Sequence, residues 1–261
     1  MRVMAGFDEY IAEVTALVDR LEAAGREVVR SAPAPSSAIG SLPVRVGPGA
    51  NPGIILRSDT YAELGSPEAG SCGLVLWTDD PTRVCDGRIT RVGPDVAGRP
   101  GASLPFAQIV IAAGRSLTAD DHSNVVQSQV VADQIEGFMV RSSSANLWCR
   151  ISKDAAAKGF CLETLGRALM QIVRAGIPAI DAVEVVFVTS SREDVLAIRE
   201  VAERAREVGR KIVEDYWKAK GYDLECDFDC GSCTDKDVCD GIREIISVRA
   251  KKDSAANGGR S

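Results

Sequence analysis

Apolar residues at the start of the chain recur three and four apart. Phe7, Ile11, Val14, Val18 and Leu21 share one face of a helix, which predicts an amphipathic helix over about residues 6–30. The segment "SAPAPSSAIGSLP", with Pro33, Pro35 and Pro43, then reads as a linker. Beyond it the pattern changes to short β-rich runs broken by Gly, Pro and Asp: "VRVGPG", "GIILRSD", "CGLVLWTDD", "GRITRVGPD" and "FAQIVIAAGR". A helix is predicted across about 123–141, with Ser123 as N-cap. "LWCRIS" reads as a strand, "LETLGRALMQIVRAG" as a helix and "AVEVVFVTS" as a buried strand. Ser190 and Ser191 cap a long charged helix from about Arg192 to Lys220, ended by Gly221. Ile242, Ile245 and Ile246 mark a final short helix before a polar tail, "KKDSAANGGRS".

Strands precede helices in the first half and alternate with them in the second. That order predicts an α/β chain of the α+β type, a mixed sheet with packed helices. The chain has 261 residues, 45% hydrophobic and 26% charged, enough for a core that needs no disulfide staples. Its net charge of −6 argues against a general nucleic-acid binder, since phosphate contacts need a basic face. No apolar run reaches the roughly 20 residues of a membrane span. The first thirty residues lack a secretory pattern, so a cytoplasmic location is expected.

That location changes the reading of the cysteines. Four of the eight lie in "CDFDCGSCTDKDVC", as Cys226-x3-Cys230-x2-Cys233-x5-Cys239. In a reducing compartment, clustered thiols point to metal or redox chemistry before disulfides. Four thiolates suit a tetrahedral zinc or a 4Fe–4S cube. Structural zinc sites usually pair two C-x2-C knuckles across a longer loop. Here one such knuckle is flanked closely by the other two cysteines, which favours the cube, with zinc as the alternative. Only Phe228 and Val238 are apolar between these cysteines, so a metal is the natural core for the segment. The expected organisation is therefore a helix and linker over 1–41, an α/β domain over 42–221, a cysteine-rich iron–sulfur module over 222–250 and a disordered tail over 251–261.

Other candidates are weaker. "GPGANPG" lacks the Lys-Ser/Thr ending of a phosphate loop and reads as a turn. His122, the one histidine, sits beside Asp120 and Asp121 in a solvated capping segment. Cys72, Cys85, Cys149 and Cys161 lie beside apolar residues and read as buried thiols. Trp148 and Arg150 alternate on a strand. The tryptophan is most simply a core residue, although a Trp–Arg pair at a strand edge can also hold an aromatic ligand.

Two stretches carry a resemblance: "NLWCRISKDAAAKGFCLETLGRAL" at 146–169, and "VRVGPGANPGIILRSDTYAELGSPEAGSCGLVLW" continuing to "GRITRVGPD" at 44–95. Together they resemble the middle region of acetyl-CoA synthase, the β-subunit of the CO dehydrogenase/acetyl-CoA synthase complex. The resemblance implies that Cys230, Cys233 and Cys239 take the places of the family's first three cluster ligands, with Cys226 upstream as the fourth. The family's nickel-binding C-G-C has no counterpart here, so a short member lacking the nickel-binding domain is expected. The resemblance also puts Trp148, Arg150 and Lys153 near the coenzyme A path, as candidate contacts to an acyl-CoA or nucleotide ligand. The expected role is a redox or accessory subunit, partnered by the protein subunits of an anaerobic C1/acyl-CoA complex. The alternatives are the β-subunit of a minimal acetyl-CoA synthase-like acyltransferase completed by another subunit, or a zinc-stabilised interaction module.

Overall fold

The computed structural model describes residues 7–33, 40–50, 53–118, 121, 134–143 and 146–219. The four clustered cysteines, His122, the final helix and the tail lie outside the described residues. Backbone contacts group residues 1–222 and 223–261 as two units, and every described residue belongs to the first.

The amphipathic helix forms, as α1 (Asp8–Ala23), with Tyr10, Ile11, Val14, Leu17 and Val18 buried. It ends seven residues before the periodicity suggested. Gly25 turns the chain at φ +84, and β1 (Val28–Arg30) leaves the helix to pair antiparallel with β4 (Ile89–Val92). The other strands are β2 (Thr60–Leu64), β3 (Ser71–Thr78), β5 (Ser103–Leu104), β6 (Phe106–Ala113), β7 (Phe138–Ser143), β8 (Asn146–Ser152) and β9 (Ala182–Val188). The remaining helices are α2 (Lys153–Ala157), α3 (Leu162–Gly176) and α4 (Arg192–Ala219).

The strands form two sheets, ordered β1-β4-β9-β6-β3 and β5-β2-β8-β7. Both are mixed: β3–β6 and β4–β9 run parallel in the first, β2–β5 in the second, and the other pairs are antiparallel. This is the mixed α/β architecture read from the sequence. Every residue of β6 and β9 is buried, as befits strands covered on both faces. Helices α1 and α4 pack on β3, and α3 packs on β4 and β9. Within β9, Glu184 is buried, and its carboxylate accepts hydrogen bonds from Arg88 Nε at 2.7 Å and the Cys85 amide at 3.0 Å. That pairing lets a charge sit in an otherwise apolar strand.

Several expectations are corrected. "VRVGPG" contributes only an isolated bridge between Val46 and Ile135, and "GIILRSD" joins neither sheet. The "GPGANPG" reading as a turn holds for its described part, where the Ala50 amide donates to Gly47 O and Gly47, Gly49 and Gly53 have positive φ. Helix does not extend to residue 141. Residues 138–143 are β7, because Glu136–Gly137 turn the chain and Phe138 onward pairs antiparallel with β8. Gly137 has φ +70, and a side chain there would meet Ser152 Oγ and Ala155 Cβ at 2.6 Å, so only glycine fits the turn. Ser191 caps α4 as expected, its Oγ accepting from the Asp194 amide at 3.2 Å.

Glu136 ties this turn to two other segments. Its carboxylate accepts from Lys158 Nζ at 2.8 Å and from the backbone amide and guanidinium of Arg45. These bonds, that of Lys158 first, hold its pKa down at about 2 instead of the ordinary 4.5. A depressed carboxylate adds stability above the unfolded value and loses it as pH falls through the folded one. The stability gap between wild type and Glu136→Gln should therefore be open above pH 4.5 and close toward pH 2. Denaturant unfolding of both proteins across that range checks it, and a pH-independent gap would contradict the assignment.

Candidate functional site

Strand β8 alternates along its length: Leu147, Cys149 and Ile151 face the core, while Asn146, Trp148, Arg150 and Ser152 are only half-buried. Trp148 is thus not a core residue. It stands on the outward face of the smaller sheet, across from Arg141 of β7. The Arg150 guanidinium lies over the indole at 4.7 Å and that of Arg141 at 5.8 Å, two cation–π contacts on one ring. The Trp148 indole nitrogen is buried without a hydrogen-bond partner.

Arg150 is held on three sides. Its Nε donates to Glu63 at 2.8 Å, its Nη1 donates to Ile55 O at 3.3 Å, and the indole covers its face. Glu63 sits directly opposite Arg150 in the β2–β8 register. The two stretches that carried the resemblance, "DTYAELG" and "RISKDA", therefore meet side by side in the sheet. Ser152 caps α2 by accepting from the Ala155 amide at 3.1 Å. Lys153, the first residue of α2, is exposed, and among the described residues no hydrogen bond or cation–π contact joins it to Trp148 or Arg150.

Of the three candidate ligand contacts, the structure therefore joins Trp148 with Arg150 and leaves Lys153 at the margin. It adds Arg141 and Glu63, which sequence reasoning missed. The missed signal was the apolar run "FMV" before Arg141, which suits a strand as well as a helix and was read as helix with its N-terminal neighbours.

The scattered thiols divide. Cys72 and Cys149 are buried, and desolvation raises the pKa of both. Cys85 and Cys161 are only half-buried, a correction to the reading of all four as core. Cys161 caps α3, its Sγ accepting from the Thr164 amide at 3.5 Å, and lines a cavity of about 280 Å³ with Leu42, Pro43 and Arg167. Among the described residues no group of His, Cys, Asp and Glu could hold a metal ion, and no helix is long and apolar enough to cross a membrane.

Comparison with known proteins bears on what this face belongs to. The family model described as CO dehydrogenase/acetyl-CoA synthase complex beta subunit matches residues 42–195. The acetyl-CoA decarbonylase/synthase complex subunit beta of Methanopyrus kandleri is 33% identical over 193 residues, 72% of this chain and 39% of that protein. The Methanothermobacter thermautotrophicus protein of the same name is 31% identical over 169 residues, 64% of this chain and 35% of that protein. The carbon monoxide dehydrogenase/acetyl-CoA synthase subunit alpha of Moorella thermoacetica is 33% identical over 171 residues, 64% of this chain and 22% of that protein. The matched region thus spans about two fifths or less of these relatives.

Proposed function

This chain belongs to the family of the CO dehydrogenase/acetyl-CoA synthase complex beta subunit, and from that premise we propose that it is a redox or accessory subunit of an anaerobic C1/acyl-CoA complex, binding one 4Fe–4S cluster. The observation that carries the reading is the donor set, Cys226, Cys230, Cys233 and Cys239. Four thiolates within fourteen residues, with no histidine among them, match the ligand demand of a cube. A bound cluster would supply one-electron chemistry. Four protein ligands saturate the four irons and leave none for substrate, which favours electron transfer or a structural role over acetyl formation. The six carboxylates from Glu225 to Asp240 would favour the more positive oxidised form and suit a basic docking partner. Metal and sulfide analysis of protein purified without oxygen tests the reading. About four iron and four sulfide per chain support it, and one zinc without sulfide overturns it.

The outward face around Trp148 supports a second element, binding of an acyl-CoA or nucleotide ligand. An indole offers a stacking surface, and Arg141 and Lys153 are exposed cations able to pair with phosphates. Arg150, already committed to Glu63, acts as a positioning group for the ring. Titration with coenzyme A should quench Trp148 fluorescence saturably. Arg141→Ala should weaken the apparent affinity about tenfold, the loss of roughly 1.4 kcal/mol expected for one charged contact. Trp148→Phe should abolish the signal. A wild-type protein with no saturable response at millimolar ligand would remove the binding element.

A further inference from the structure

We draw no further inference here: the strongest candidate, the cavity of about 280 Å³ that Cys161 lines with Leu42, Pro43 and Arg167 at the N-terminus of α3, rests on a lone cysteine at a helix end, and no second observation among the described residues points to a ligand there.

Discussion

Cys233→Ser is expected to strip the chain of its iron. Wild-type protein kept from oxygen should hold about four iron atoms and absorb broadly near 400 nm, as a thiolate-bound cube does. A serine hydroxyl is a poor substitute for a thiolate, and removal of one of four protein ligands should take the iron content well below one per chain, with loss of the colour. Cys161→Ser is the matched control. Its thiol caps α3 and contacts Thr164, so iron content should stay at the wild-type level. The hydrophobic core among the described residues runs from Phe7 to Ile212 in the first contact unit, and the four clustered cysteines fall in the second, residues 223–261. Thermal unfolding of that core in Cys233→Ser should therefore match wild type. Retention of four irons by the variant, or equal loss in Cys161→Ser, would refute the ligand assignment.

Gly65→Ala should be the most damaging small substitution in the α/β body. Gly65 follows β2 at φ +67, and its amide donates to Leu104 O at 2.8 Å. A Cβ built there falls 2.3 Å from Leu147 O and 2.6 Å from Ser71 Cβ. Both contacts are with strands, β8 and β3, whose backbones cannot yield without disturbing a sheet. The left-handed conformation alone costs about 1–2 kcal/mol for alanine, and the clash should bring the total to roughly 3 kcal/mol or more. For a body of this size that lowers Tm by about 6–12 °C. Gly98 provides the comparison, with φ +72 and nothing within 4 Å of an added Cβ. Gly98→Ala should show only the conformational cost, about 1–2 kcal/mol. If the two variants melt together, the packing account of Gly65 is wrong.

The glycine at the end of "DTYAELG" shows how a sequence pattern can be specific yet physically opaque. Its left-handed turn and its place against β8 depend on Leu147, eighty-two residues later in the chain. The same holds for Glu63 and Arg150, each visible in its own motif, whose ion pair exists only because the two strands register antiparallel. Trp148 was read as core from residue type, but the alternation of β8 gives the inward positions to Leu147, Cys149 and Ile151.

Local periodicity was enough for α3, β9 and the start of α4, which lie within two residues of the sequence reading. In both helices the apolar repeat and an N-cap agree, and β9 is a continuous apolar run, so short-range physics settles these elements. The four-cysteine spacing, likewise a local pattern, is what the proposed donor set rests on. Elsewhere the pattern was ambiguous and distant partners chose. Helical spacing continued past Ala23, but β4 offered an edge for Val28–Arg30 and Gly25 let the chain turn toward it. Residues 138–143 had enough apolar character for either state, and pairing with β8 made them a strand. "GIILRSD" has strand composition but lacks a neighbour, since backbone hydrogen bonds in a sheet need a second strand that composition alone cannot supply. Which segments pair, and which apolar side chains are left facing water, is a property of the assembled sheets.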